Sequence, residues 1–169
     1  LESEGFVERH LNRGYYVHEM DEQEVAELCD AREAIEIFLL DKAIGNLTKS
    51  HVKELEEIAR YHQEAEYTGI RKRIIIDGTF HLKITEASGS KYLTSLLLGL
   101  FSRLYLTYRL DKLPPQRKIT AENEHSKILK AIKDKNTKVA KNLLQQHIRD
   151  GKKILIESLQ GYLIKSVSN

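Results

Sequence analysis

A carboxylate and an imidazole lie one helical turn apart near the middle of the chain, at Asp77 and His81. Residues at this spacing share one face of a helix, and Ile74, Phe80 and Ile84 continue the same face. These apolar neighbours predict that the face points into the protein rather than toward water. Because an unpaired polar group is costly to bury, both side chains require a partner or a ligand there.

Two later histidines occupy comparable positions on other predicted helices. His125 precedes Ile128 and Ile132 at helical spacing, and His147 follows an apolar stretch that includes Leu144. Together with the first pair, they supply three imidazoles and one carboxylate. These ligands suit a divalent metal ion such as zinc, nickel, manganese or iron, with zinc as the first candidate, and they can leave coordination positions open.

The pattern alone leaves a second interpretation open. An inward-facing histidine is often a core residue that hydrogen-bonds to a backbone carbonyl, and Asp77 with His81 could form an intrahelical pair. The other histidines lie in polar or hairpin segments and are not metal-ligand candidates: His10, His18, His51 and His62.

Two arginines are candidates for binding a small acid. Arg32 falls on the apolar stripe of the first predicted helix, where a guanidinium must find an anion. It could pair with Glu36 one turn later, or it could direct its two parallel donors at the carboxylate of a ligand in the same cavity. Arg103, on the most apolar helix, is a second candidate for that task.

The composition is that of a soluble, helix-rich domain. The chain has 169 residues, of which 31% are charged and 41% hydrophobic, and its net charge is +2. This near-balance gives no evidence of a nucleic-acid surface on the bulk of the chain. A single cysteine, Cys29, excludes an intrachain disulfide, suits the cytoplasm and is predicted to be a buried small hydrophobe. The most apolar run is interrupted by Arg103 and hydroxyl side chains, so no membrane span is predicted.

The order of elements predicts an all-α antiparallel bundle of six or seven helices, preceded by a short N-terminal β-hairpin. Asp21 and Glu24 form a capping-box pattern at the start of the first helix. The fourth helix is apolar nearly all round, so we expect it to be central or to lie at an oligomer interface. The predicted helices span residues 21–45, 48–69, 70–88, 90–112, 115–134 and 137–165.

The ordered set of Asp77-x3-His81, Glu124-His125-x2-Ile128 and His147-Ile148 resembles the effector domain of GntR-family transcription regulators. That domain is the FadR-type C-terminal domain, called FCD. Arg32-x3-Glu36 is similar to the pattern that opens its first helix. The resemblance covers about residues 21–165, with Ser90 where the family often has Asn.

The resemblance also changes how the N-terminal residues are interpreted. Residues 1–20 are similar to the end of the recognition helix and the wing of a winged helix-turn-helix domain, and residues 21–169 would be the FCD domain. It implies contact with operator DNA through the wing, where Arg13 and Gly14 lie, and a homodimer. What is present of the DNA-binding domain is too little to dock a recognition helix in a major groove.

The leading hypothesis is therefore a sensing domain and not an enzyme. In family terms, Asp77, His81, His125 and His147 hold the metal, a small organic acid completes its shell, and Arg32 anchors the acid. Two alternatives stay open on the sequence. One is a metal-dependent enzyme that acts on a small carboxylic acid. The other is a purely structural helical dimerisation module with hydrogen-bonded core histidines.

Overall fold

The computed structural model describes residues 2–3, 5–11, 13–64, 70–108 and 116–167. This part of the chain is an all-α bundle preceded by a hairpin, which confirms the predicted fold class. Its elements are β1 (Val7–His10), β2 (Gly14–Val17), α1 (Glu22–Asn46), α2 (Lys49–Glu64), α3 (Ile70–Glu86), α4 (Lys91–Thr107), α5 (Gln116–Lys133) and α6 (Thr137–Val167).

The hairpin is antiparallel, with Val7 opposite Val17 and His10 opposite Gly14. Gly14 has a φ of +89°, a left-handed conformation that glycine adopts without steric cost. The chain leaves the hairpin toward the bundle, where the backbone N–H of Met20 donates to the carbonyl of Thr107 at 3.2 Å. A two-stranded ribbon of this size depends on such contacts for its stability.

Local sequence accounts for the starts of the first two helices. The Asp21 side chain accepts a hydrogen bond from the Glu24 backbone at 2.8 Å, and the Glu24 side chain accepts one from the Asp21 backbone at 3.1 Å. This is the predicted capping box. At α2, the backbone N–H of His51 donates to the Thr48 hydroxyl at 3.2 Å. These caps satisfy backbone donors that have no partner within the helix.

Two helices end earlier than the sequence pattern predicts. Helix α3 ends at Glu86 rather than Ser88, and the following turn contains Gly89 with a φ of +75°. Helix α4 ends at Thr107, because Tyr108 adopts an extended backbone and its hydroxyl donates to the carbonyl of Leu155 at 2.9 Å. This bond to α6 is tertiary, so helical periodicity could not reveal it. The predicted end of the helix at residue 112 lies outside the described residues.

The core of the described residues consists of two apolar clusters. One involves the second half of α1 together with α2, α3, α5 and the start of α6. The other lies where the start of α1 meets the end of α4 and the middle of α6. Along α1, Arg32 and Glu36 fall between these clusters, after Cys29 and before Leu40. Arg32 and Glu36 therefore lie on α1 between the two apolar clusters.

Helix α4 has one buried side and one exposed apolar side. Leu97 and Phe101 are buried, whereas Tyr92, Leu96 and Leu106 are exposed. Only one side of α4 is therefore buried in the bundle, as a central position would require, and the other side is exposed. Among the helices in the described part of the chain, none combines the length and the apolar character that crossing a membrane requires.

Cys29 is 1% exposed, and burial raises the pKa of its thiol. This agrees with its predicted role as a small buried hydrophobe and disfavours the reactive thiolate.

Candidate metal and effector site

The four side chains predicted as metal ligands meet in the interior of the bundle. Each of Asp77, His81, His125 and His147 offers one ligand atom, and these atoms all lie within 4.8 Å of one another. The three imidazoles are between 0% and 3% exposed, and the Asp77 side chain is 24% exposed. The group therefore has three buried imidazoles and one carboxylate that lies nearer to solvent.

Three helices hold this group in place, each by its apolar face. Asp77 and His81 lie one turn apart on α3, His125 lies on α5 and His147 on α6. The Phe80 ring stacks on the His125 ring, with centroids 4.3 Å apart. Because the apolar faces of the three helices pack together, the polar side chains that they carry converge.

The histidines direct the same ring nitrogen, Nε2, toward a common centre. His81 Nε2 lies 3.0 Å from His147 Nε2 and 3.3 Å from His125 Nε2. His125 Nε2 lies 3.3 Å from Asp77 Oδ1, and His81 Nε2 lies 3.9 Å from Asp77 Oδ2. Two nitrogens bound at roughly 2.05 Å to one ion, at octahedral or tetrahedral angles, would be about 2.9 to 3.4 Å apart. The His81–His147 and His81–His125 spacings fall in this range, so the imidazoles fit a divalent metal, with Asp77 Oδ2 farther from His81 Nε2.

Carboxylates lie behind two of these rings, a feature that the sequence analysis missed. His81 Nδ1 is 2.7 Å from Glu36 Oε2, and His147 Nδ1 is 2.6 Å from Glu124 Oε2. The sequence treated Glu36 only as a partner of Arg32. Glu124 was named only as part of the family motif, and its role was not visible because it is adjacent in sequence to one histidine and contacts another.

The charges around the site keep its carboxylates ionised. Burial by itself raises the pKa of Asp77, but the three histidines and Arg32 outweigh it and hold that pKa well below its usual range. Burial likewise opposes ionisation of Glu36, whereas His81 and Arg32 lower its pKa to about 2. Burial lowers the pKa of His147, which favours the neutral imidazole that a metal requires.

Arg32 forms the intrahelical pair with Glu36, and part of its guanidinium stays unpaired within the part of the chain that the structure describes. Its Nε donates to Glu36 Oε1 at 2.9 Å, as expected of an i,i+4 pair. Its guanidinium carbon lies 4.4 Å from the centre of the Phe101 ring. The residue is 6% exposed, and its Nη2 has no hydrogen-bond partner among the described residues. A buried guanidinium with an unpaired nitrogen is a candidate donor for an anionic ligand.

Arg103 lies in a different place from Arg32. Its Nη2 donates to Glu24 Oε1 at 3.3 Å, at the start of α1. A Cβ at Gly5 would lie 2.9 Å from the same nitrogen, so this guanidinium packs against the N-terminal residues. Arg103 is therefore placed at the junction between the hairpin and the bundle. Arg13 and Gly14 are exposed at the turn of the hairpin, where Arg13 N–H donates to the His10 carbonyl at 3.0 Å.

Tyr105 is a further polar side chain near the site that the sequence analysis did not select. A Cβ at Gly78 would lie 1.6 Å from the Tyr105 hydroxyl, so the tyrosine occupies space that only glycine leaves open on α3. Burial raises the pKa of Tyr105, and Asp77 raises it further. The phenol therefore keeps its proton, next to Gly78 on α3.

These features define a class of protein: a helical domain with a buried group of His and Asp side chains, preceded by a two-stranded hairpin. The sequence pattern of the FCD domain matches residues 27–150, so the chain belongs to the FCD domain family. This confirms the resemblance drawn from the sequence. The FCD domain is the effector domain of GntR-family transcriptional regulators, which supports a regulatory role.

Solved structures share this fold at low sequence identity. McbR/YncC of E. coli superposes with a TM-score of 0.81 and 22% identity, covering 94% of this chain and 76% of that chain. A GntR-family transcriptional regulator from Pseudomonas syringae pv. tomato gives 0.70 and 18%, covering 98% and 69%. The metal-free FCD domain of the regulator TM0439 gives 0.68 and 23%, covering 85% and 99%. The search of curated proteins finds no match.

Proposed function

We propose that this chain is mainly the sensing and dimerising part of a GntR-family transcription regulator, with a divalent metal held by Asp77, His81, His125 and His147. In this proposal residues 1–20 are the remnant of a winged helix-turn-helix domain and residues 21–169 are the FCD domain. Because proteins with this domain are regulators, we propose a regulatory and not a catalytic role, in the cytoplasm where operator DNA is found.

The observation that carries the metal proposal is the approach of the imidazole nitrogens. His81 and His147 each have a carboxylate on Nδ1 and are 3.0 Å apart at Nε2. If both rings donate at Nδ1, their Nε2 lone pairs face each other. A cation between them would convert this repulsion into coordination. Zinc is the first candidate, while nickel, manganese and iron accept the same ligands.

A small organic acid is the proposed effector. A metal with open positions would act as a Lewis acid toward an oxygen of this acid. The chain's own contribution is Arg32, whose Nη2 is buried without a hydrogen-bond partner among the described residues. Asp77 is the group's most exposed member and so marks the side from which an acid would enter. Arg103 was the other effector candidate, but its contact with Glu24 favours a role at the hairpin junction.

The route to DNA runs through the hairpin and α4. Phe101 of α4 contacts the site: its ring is 5.9 Å from the His81 ring and 4.4 Å from the Arg32 guanidinium carbon. Two residues further along, Arg103 contacts Glu24. In the full-length regulator, the wing that contains Arg13 and Gly14 would contact operator DNA. A coupling of about 1–3 kcal/mol between effector and DNA would be enough for regulation.

A homodimer is proposed through the exposed apolar side of α4. Tyr92, Leu96 and Leu106 on that side are between 46% and 77% exposed in the single chain. Tyr92 and Leu96 are one turn apart, and exposed apolar side chains grouped in this way are typical of protein interfaces.

The metal content of the purified protein, measured by plasma mass spectrometry, tests the proposal. We expect near-stoichiometric metal in the parent and almost none in the His81→Ala/His147→Ala variant. A thermal-shift screen of mono-, di- and tricarboxylates then searches for the acid, with Arg32→Met as the variant expected not to respond. Absence of metal in the parent, after incubation with zinc, nickel and manganese, would reduce the four residues to a structural core.

A further inference from the structure

Glu36 and Glu124 each contact the nitrogen of an imidazole that faces away from the common centre. Glu36 Oε2 lies 2.7 Å from His81 Nδ1, and Glu124 Oε2 lies 2.6 Å from His147 Nδ1. The two carboxylates come from different helices, α1 and α5, and neither belongs to the group of four. The same arrangement is therefore built twice within one site.

An ionised carboxylate can only accept hydrogen bonds, so each contact requires a hydrogen on Nδ1. A neutral imidazole with its hydrogen on Nδ1 has its lone pair on Nε2. An imidazole without such a partner can carry the hydrogen on either nitrogen. The two carboxylates thereby select the ring form in which His81 and His147 direct lone pairs at the centre, where their Nε2 atoms are 3.0 Å apart.

At Glu36 the carboxylate is shared between two donors. Arg32 Nε donates to Oε1 at 2.9 Å, and His81 Nδ1 donates to Oε2. Because Glu36 is 1% exposed, bulk solvent has little access to its oxygens. This carboxylate is held in one orientation, and it holds the His81 ring in turn.

At Glu124 a guanidinium competes for the same imidazole nitrogen. Arg117 Nη2 lies 3.3 Å from His147 Nδ1, and Arg117 Nη1 lies 2.8 Å from Glu124 Oε2. A guanidinium only donates, so a bond from it would require a lone pair on Nδ1. That lone pair would then face the Glu124 oxygen at 2.6 Å, which is repulsive. The shorter carboxylate contact therefore decides the position of the hydrogen, and Arg117 donates to Glu124 and, at 3.4 Å, to the backbone carbonyl of His147.

We propose that Glu36 and Glu124 are positioning residues that fix His81 and His147 with the hydrogen on Nδ1 before any metal binds. Their effect on metal affinity rests on the proposed function, whereas their effect on the hydrogen position does not. Ligating histidines held in this way bind metal more tightly, and loss of such a carboxylate costs about 10- to 100-fold in affinity.

Of Glu36 and Glu124, Glu124 is the better residue to change, and Glu33 is its matched control. The Glu124 side chain is 26% exposed and pairs with Arg117. The Glu33 side chain is 19% exposed and pairs with Arg149 at 2.8 Å, but it contacts Gln145 rather than a histidine. Replacing either by leucine removes a half-buried carboxylate with an arginine partner, and only one replacement removes a histidine contact.

The experiment uses metal-stripped protein labelled with ¹⁵N at histidine. Long-range proton–nitrogen spectra at about pH 8, where imidazoles are mostly neutral, report which ring nitrogen carries the hydrogen. We expect the Nδ1–H form at His81 and His147 in the parent. Glu124→Leu should change His147 alone, Glu124→Gln should keep the Nδ1–H form because its amide oxygen still accepts, and Glu33→Leu should change neither ring.

Zinc affinity, measured by competition with a chelating dye, provides the second measurement. Glu124→Leu should weaken zinc binding by about 10- to 100-fold, and Glu124→Gln and Glu33→Leu by much less. Nε2–H forms at both rings in the parent, or an unchanged zinc affinity in Glu124→Leu, would overturn the proposal. If the parent binds no zinc but both rings show Nδ1–H, the positioning holds and the metal function fails.

Discussion

Histidines lie against carboxylates in two regions of this molecule, at the surface beside the hairpin and at the centre of the bundle. His18 contacts Glu8 through Nδ1 and Glu24 through Nε2, the latter at 2.7 Å, and its side chain is 18% exposed. His81 contacts Glu36 through Nδ1 but faces another histidine through Nε2, and it is 0% exposed. Both imidazoles therefore have a carboxylate at Nδ1. At Nε2, His18 has a second carboxylate, whereas His81 has another imidazole.

This difference separates a proton-binding histidine from a candidate metal site. With acceptors on both nitrogens, the His18 ring is best satisfied as the doubly protonated cation, and its hydrogen bond to Glu8 raises its pKa. At the centre, burial lowers the pKa of His147 and several nitrogens converge on one point. The surface histidine therefore favours a proton, whereas the buried group calls for a cation that accepts several lone pairs.

Metal addition should produce the largest difference between the two regions. Zinc at about 1,000 times its dissociation constant would stabilise the fold by about 4 kcal/mol, because only the folded state assembles the ligands. For a chain of this size that raises the Tm by roughly 10 °C. Thermal unfolding with zinc and with chelator measures the increment. His81→Ala should abolish it and His18→Gln should keep it, so an equal increment in both variants would contradict the comparison.

Removal of Arg32 in metal-free protein tests the buried ion pair of Arg32 and Glu36 without a contribution from metal binding. Arg32→Leu takes the guanidinium away from Glu36, which is 1% exposed, and breaking a buried pair in this way costs about 3 kcal/mol or more. Urea denaturation measures the loss in the free energy of unfolding. Lys130→Ala, in a surface pair with Asp134, is the control and should change little. Similar losses in both variants would show that burial does not set the energy of these pairs.

Gly78→Ala should disturb the side of the site next to α4. The added Cβ would lie 1.6 Å from the Tyr105 hydroxyl and 2.8 Å from its Cζ, so the tyrosine must move, at a cost of about 2 kcal/mol. Gly45→Ala meets nothing within 4 Å and should be neutral or slightly stabilising. Denaturant unfolding compares the two. A second change, Tyr105→Ala, should relieve the clash; if it does not, Tyr105 is not the obstacle.

The smallest effect is expected at the hairpin, as a dependence on pH. The Glu8 contact raises the folded-state pKa of His18 above its ordinary value of 6.5. Because this pKa is higher in the folded state, protonation of His18 stabilises the docked hairpin, and it does so fully below about pH 6.5. The stabilisation is lost as the pH rises through the folded-state pKa of His18. NMR shifts of β2, followed from about pH 6 to about pH 8, should show weaker docking at high pH. His18→Gln should remove this dependence, and a parent hairpin that is indifferent to pH would disprove it.

The sequence by itself determined the elements and the faces of the helices. The capping residues Asp21 and Glu24 begin α1 as expected, and helical spacing correctly turned His81, His125 and His147 inward. These features depend on residues within one or two turns of each other, so local physics fixes them. The conformation of the hairpin turn at Gly14 is local for the same reason.

Only the tertiary structure decided which inward-facing groups meet. Periodicity gives a side chain its face, but it carries no information about the rotation and depth of a neighbouring helix. The contact of Glu36 with His81 joins residues 45 positions apart, and Glu124 selects His147 although His125 is its neighbour in sequence. Arg103 pairs with Glu24, far along the chain, instead of joining Arg32. Packing between helices sets these partners, and with them the orientation of every ring around the candidate metal position.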